Sequence, residues 1–298
     1  MDFESLKSSA SNFDKITKAL EASTEKPETS GNKSNKYQDD RIWKPELDKT
    51  GNGYAVIRFL PATSGEEMPW QRVWSHAFQD KGGWYIENSL TTLNQKDPVS
   101  EENTRLWNTG VDSDKEIARK RKRKLSYYSN IFVVSDPKHP ENEGKVFIFK
   151  FGKKIFDKIT EAMQPAFDDE TPINPFDFWK GANFKLKIRK VDGYWNYDKS
   201  EFESVSQIKE SDDDIKQIWS KQYPLNPFVD PSNFKTYDEL KEKLNRVIMG
   251  QRNTETVENV DLPPQSTTSV PSSSDVKSAP ASEDDDTLSY FSKLADED

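Results

Sequence analysis

Residues 184–190 read Phe-Lys-Leu-Lys-Ile-Arg-Lys, the cleanest alternation in the chain. Side chains along a strand point to opposite faces in turn, so Phe184, Leu186 and Ile188 share one face and Lys185, Lys187 and Arg189 the other. The Asp192-Gly193 turn then delivers Tyr194-Trp195-Asn196-Tyr197. Working outward, a second strand, Tyr54 to Leu60, is entered through Gly51-Asn52-Gly53 and stopped by Pro61. Segments 70–78 and 83–87 flank Lys81-Gly82-Gly83 as a hairpin. Strand character returns at 126–134 and 145–151, while 88–124 loses the period of two and reads as an irregular or helical insertion. Helical spacing follows at 153–163. Two further helices are expected, at 211–222 with Ser211 as N-cap and at 237–249 with a Thr236-x-x-Glu239 capping box, ended by Gly250. Five or six short strands, one helix between them and two after give an α+β, mainly β class. The expected architecture is a closed OB-fold barrel core with a small insertion and C-terminal helices.

Composition frames that core. Hydrophobic residues make up 33% and charged residues 32% of 298, so part of the chain cannot bury enough apolar surface to order itself. Aromatics reach 12%, too many for a disordered chain. Residues 1–36 read as an arm and linker: Phe3, Leu6, Ala10, Phe13, Thr17 and Leu20 lie near helical spacing, and 23–36 has linker composition. Residues 37–250 are the core, with the insertion at about 88–124, and 251–298 an acidic, disordered tail. No run of 18 or more apolar residues exists, so no membrane span is expected. The N-terminus lacks a basic region followed by an apolar stretch, which points to the cytoplasm. With no cysteine, disulfides, thiolate nucleophiles and sulfur-based zinc sites are excluded.

Net charge is −9, but it is unevenly spread. The last 48 residues hold three basic and eleven acidic side chains, a charge of −8 that leaves only −1 for residues 1–250. Within the latter lies an unbroken basic run, Arg119-Lys120-Arg121-Lys122-Arg123-Lys124, leading into Leu125-Ser126-Tyr127-Tyr128. Cations beside exposed aromatics suit a strand of phosphates with its bases stacked alongside. The strand period puts the rings of Tyr127 and Tyr128 on opposite faces, one expected in the core and one exposed. Enzymatic signatures are missing: there is no phosphate-binding glycine loop, and His76 and His139 stand 63 positions apart. Asp212-Asp213-Asp214 is read as helix N-terminal charge rather than a metal cluster.

Five blocks carry a resemblance: Gly51-Asn-Gly-Tyr-Ala-Val-Ile-Arg-Phe-Leu-Pro61, Pro140-Glu-Asn-Glu-Gly-Lys-Val-Phe147, Phe151-Gly-Lys-Lys-Ile-Phe-Asp-Lys-Ile159, Trp179-Lys-Gly-Ala-Asn-Phe184 and Asn196-Tyr-Asp-Lys-Ser-Glu-Phe202. In collinear order over about residues 37–250, the chain resembles the helix-destabilising, single-stranded-DNA-binding proteins of T-even-type bacteriophages. The resemblance implies an OB-fold that coats single strands without sequence preference in replication, recombination and repair, in the cytoplasm of an infected host. It places DNA contacts at Trp84, Trp107, Tyr127, Tyr128, Phe149, Tyr194 and Tyr197. The basic run 119–124, Arg58, Lys150, Lys187 and Trp195 complete the expected nucleic-acid-binding set. Implied partners are a polymerase, a helicase loader, a recombination mediator and further copies along the strand.

Two departures from the family stand out. Its zinc site uses one His and three Cys; His76 matches, but the Cys positions fall on Ser89 and near Asp97 and Ser100, so no metal or other cofactor is expected. The insertion must then be held by packing, with Trp84, Leu90, Leu93, Leu106 and Trp107 as candidates. Its basic N-terminal arm is here mixed in charge, which puts arm-driven cooperativity in question. The tail carries Leu288, Tyr290, Phe291 and Leu294 within its acidic cluster, at spacings one helical face can share. It is expected to compete with DNA for the basic groove and to dock partner proteins. An RNA-binding regulator, a metal-dependent nuclease and a tail-only scaffold remain as rival readings.

Overall fold

The structure, a computed structural model, describes residues 39–167, 169–191 and 194–250, together with Phe3, Ile16 and Thr17. The acidic tail, the linker and the rest of the N-terminal arm lie outside the described residues, as do Asp192-Gly193 and the side chain of Tyr194.

Among the described residues, nine strands and five α-helices follow one another. In chain order they are β1 (Ile42–Trp43), β2 (Gly53–Phe59), β3 (Trp70–Asp80), β4 (Gly83–Asn88), α1 (Pro98–Asn108), α2 (Asp112–Lys120), β5 (Lys124–Ser135), β6 (Val146–Phe151), α3 (Lys153–Met163), β7 (Ala182–Val191), β8 (Tyr194–Asn196), β9 (Glu201–Val205), α4 (Asp212–Ser220) and α5 (Tyr237–Met249). The alternating segments are β2 to β7, and the expected helices are α3 to α5. Short β1 and β9 were not legible from periodicity. The class is mixed α/β, mainly sheet. The chain forms two compact units, one from residues within 1–75, 87–96 and 123–236, the other from residues within 76–86, 97–122 and 237–298.

In the first unit β5 organises the sheet. Its first half pairs antiparallel with β3, from Ser75↔Lys124 to Trp70↔Ser129, and its second half with β2. Its other edge takes β6, and β2 passes on to β7. The main path reads β1-β6-β5-β2-β7-β8, with β3, β4 and β9 branching from it. These pairings do not return on themselves, so the closed barrel expected from sequence is not formed among the described residues. The longer strands β2 to β7 were legible from local alternation, whereas closure depends on which distant edges meet.

The core of this unit follows from the same alternation. Phe184 and Leu186 of β7 face inward with Ile57 and Phe59 of β2 and Ile131 and Val133 of β5. Phe59 lies edge-on to Phe151 at 5.6 Å and Phe176 at 5.7 Å, an arrangement that favours the ring quadrupoles. Ile155, Ile159 and Met163, four residues apart on α3, give that helix its buried face. A second cluster gathers Phe3, Leu60, Phe132, Phe178, Ile215 and Ile218. Ser211 caps α4, accepting the Asp213 N–H at 3.2 Å, and Asp212–Asp214 occupy its first turn, where their charge complements the helix dipole.

In the second unit Phe78 and Tyr85, from the two arms of the β3–β4 hairpin, stack at 5.0 Å. Asp97 caps α1 through the N–H groups of Val99 and Ser100, both at 3.0 Å. The Tyr237 hydroxyl donates to Glu101 at 2.5 Å, tying the start of α5 to α1. At the hairpin tip the Gly82 N–H donates to the Val247 carbonyl at 2.7 Å, and a Cβ there would lie 2.3 Å from the Arg246 carbonyl oxygen. Only glycine lets α5 approach this closely. Gly250, at φ +76°, ends α5.

Candidate nucleic-acid interface

Tyr127 and Tyr128 lie on opposite faces of β5, as the period demands, but both are covered, at 5% and 8% exposure. Tyr127 stacks on Phe156 of α3 at 3.9 Å, and burial pushes its hydroxyl up to about 12. Tyr128 stacks on Phe228 at 4.2 Å, with the Lys150 ammonium 5.5 Å from its ring. The expectation of one exposed ring is thus corrected, because both faces of β5 are clad. The second cover was invisible in the sequence, since it comes from the loop 223–234. Glu66 holds that loop: its Oε1 accepts the N–H groups of Leu225 at 2.5 Å and Asn226 at 2.7 Å, and its Oε2 accepts the Thr63 hydroxyl. Phe149 is likewise buried, edge-on to Trp43 at 5.4 Å.

Arg58 reverses its expectation more fully. It shares an outward-pointing parity with Val56 and Tyr54, yet its exposure is 0%. Its Nη2 donates to the carbonyls of Ser206 at 2.6 Å and Asp177 at 3.1 Å, and its Nη1 to Asn183 at 3.3 Å. Burial pushes the guanidinium down to about 10, against the attraction of Asp177. The 174–181 loop closes over this end of β2, and Arg58 serves as its internal donor.

The cationic face of β7 exists but is matched by carboxylates. Lys185 pairs with Glu203 at 3.1 Å, Lys187 with Glu201 at 2.7 Å, and Arg189 with Asp198. Lys187 holds the Glu201 carboxyl below its usual range, and Arg189 does the same to Asp198. Such exposed pairs contribute little to stability and yield readily to another anion. Beyond them Trp195 is 44% exposed, with the Lys190 ammonium 5.9 Å from its ring. Tyr197 is half-buried against the main core, and burial raises its hydroxyl.

The basic run 119–124 is split in character. In the second unit Arg119 pairs with Glu116 and lies 5.3 Å over the half-buried ring of Trp107. Lys120 and Lys122 are exposed. Arg121 is buried, bonded to Asp80 at 2.5 Å, so it serves the fold. Trp84 is 47% exposed on the face of β4 opposite Tyr85. In the first unit Lys124 is exposed, and Arg123 lies 4.0 Å over the ring of Trp74, a residue the sequence reading passed over. The alternation Trp70-Gln71-Arg72-Val73-Trp74 carried that signal, since it aligns Arg72 and Trp74 on one face.

The zinc position holds a polar network instead of thiolates. His76, 1% exposed, donates from Nδ1 to the Arg121 carbonyl at 2.8 Å, and Asn103 donates to the same oxygen at 3.2 Å. Its Nε2 lies 3.3 Å from Asp97 Oδ1, without the alignment of a hydrogen bond. That Oδ1 already accepts the two N–H groups capping α1. Ser89 Oγ is engaged with the Thr91 hydroxyl at 3.0 Å. One imidazole, one committed carboxylate and two hydroxyls do not fit a structural zinc ion, which needs four nitrogen, thiolate or carboxylate ligands.

The family model described as gp32 DNA binding protein like matches residues 51–248, and the chain belongs to that family. It is 41% identical over 225 residues to the single-stranded DNA-binding protein of Enterobacteria phage T4, covering 73% of each chain. Against the protein of the same name from Enterobacteria phage T2, identity is 41% over 226 residues, covering 73% of this chain and 74% of the relative. The resemblance read from the five sequence blocks is thereby established.

Proposed function

We propose that this chain coats single-stranded DNA without sequence preference during phage replication, recombination and repair, as a binding protein rather than an enzyme. The observation that carries the reading, beside family membership, is the pairing of partly exposed rings with cations: Trp107 with Arg119, Trp195 with Lys190. Lysines and arginines displace counterions from the backbone, and each stacked base adds about 1–3 kcal/mol. Each unit contributes its own contacts: Trp84, Trp107, Lys120 and Lys122 from one, and Lys124, Lys150, Lys187, Tyr194, Trp195 and Tyr197 from the other. Arg58, Arg121, Tyr127, Tyr128 and Phe149 support them from within. The branched sheet is read as an OB-type core, a barrel class that is often partly open. Anisotropy with labelled oligothymidylate and oligouridylate, with and without magnesium, tests the reading. Expected is DNA binding with the oligonucleotide left intact. Tighter binding to RNA would favour the regulator, and magnesium-dependent shortening the nuclease.

The fold is proposed to stand without metal. Purified protein is expected to carry no stoichiometric zinc, and a chelator to leave its melting temperature unchanged, because binding energy that is absent cannot be withdrawn. One zinc per chain by elemental analysis would overturn this. Partner docking through Leu288, Tyr290, Phe291 and Leu294, and competition of the tail with DNA, belong to the same proposal; both fall on residues outside the described part of the structure.

A further inference from the structure

We infer that Trp74 is a base-stacking platform, preset by Arg123. The inference rests on the single-strand-binding reading and adds to it a contact that the expected set lacked.

Strand pairing fixes the placement. Arg72 lies opposite Tyr127, and Trp74 opposite Leu125, so all four share one face of the sheet. Toward the core this face is occupied by Trp70, edge-on to Phe156 at 5.3 Å, and by Tyr127 stacked on the same ring. Moving outward along β3, the face emerges with an exposed Arg72 and a half-buried Trp74. With Tyr127 covered, Trp74 is the ring this surface offers to a base.

Two observations make it a prepared platform rather than a stray ring. Its backbone is clamped on both sides: the Trp74 N–H donates to Thr92 Oγ1 at 2.8 Å, the Thr92 hydroxyl donates to the Trp74 carbonyl at 3.2 Å, and the Ser89 N–H donates there at 2.8 Å. The indole itself is held by the Arg123 guanidinium, 4.0 Å from the ring centroid. Stacking uses the flat face of a guanidinium and leaves its N–H donors in the plane, so one arginine can serve a phosphate while it orients a ring. A base on the other face of the indole would then sit one phosphate away from Arg123, with Arg72 at the next position along the strand.

The test combines affinity with a direct view of the ring. The full chain labelled with 5-fluorotryptophan gives a Trp74 fluorine signal identified by its loss in Trp74→Phe. Oligothymidylate should move that signal well beyond the shift that inorganic polyphosphate at equal charge produces through Arg123 alone. Trp74→Ala should bind oligothymidylate about tenfold more weakly with an unchanged salt slope, and Trp74→Phe should recover most of the loss. Arg123→Ala should instead flatten the slope of log K against log salt by about 0.7, one phosphate contact. A Trp74 signal that ignores the oligonucleotide, or answers equally to polyphosphate, removes the platform even if Trp74→Ala fails to fold. Wild-type protein that does not bind oligothymidylate at all removes the single-strand reading itself, whereas normal wild-type binding with an unaffected, folded Trp74→Ala removes only this inference.

Discussion

Replacing Lys120, Lys122 and Lys124 together with alanine is expected to flatten the salt dependence of single-strand binding by about 2 in log K per log salt, since each lost phosphate contact removes about 0.7. At low salt that corresponds to a loss of about 100-fold or more, equal for all base sequences, because phosphates carry no sequence information. These lysines are exposed members of the basic run, whereas Arg121 within it is committed to Asp80. Anisotropy titrations from low to moderate salt read the slope directly. An unchanged slope would make the run a bystander and shift the electrostatics to other cations. Tyr197→Ala, by contrast, should lower affinity and leave the slope nearly intact, since it removes a ring and no charge.

The second large effect concerns stability. Arg58→Ala strips donors from the carbonyls of Asp177 and Ser206 and from Asn183, and leaves a cavity under the 174–181 loop. Three buried acceptors left without partners, at about 1–3 kcal/mol each and partly relieved by relaxation, cost about 3–5 kcal/mol together. For a unit of this size that lowers Tm by about 10 °C. Lysine should not rescue it, because a single ammonium cannot span three acceptors set for a planar fork. Calorimetry measures the shift, and the salt slope of the remaining folded protein should match wild type. A normal Tm with a flattened slope would return Arg58 to the DNA-contacting set that its position in the sequence suggests.

The contrast between these two variants marks where sequence and structure part. Both concern cations on strands or beside them, and the sequence treats Arg58 and Lys124 alike. The difference arises because a loop more than a hundred residues downstream closes over Arg58, whereas Lys124 is exposed. The zinc position is similar: the missing thiolates were plain from composition, but the His76–Asp97–Arg121 network that replaces them joins residues from three separate segments.

The amino-acid order by itself determined strands β2 to β7, helices α3 to α5 and the Ser211 cap, because alternation, helical spacing and capping residues act within a few positions of one another. It determined the faces too, placing Tyr127 opposite in sense to Tyr128 and aligning Lys185, Lys187 and Arg189. Only the tertiary structure decided what lies against those faces. Phe156 and Phe228 cover the two tyrosines, Glu201, Glu203 and Asp198 answer the cations, and Trp74 is left half-buried beneath Arg123. A period of two fixes the direction of a side chain, but its solvent exposure depends on distant segments, whose docking is set by the packing of the whole unit.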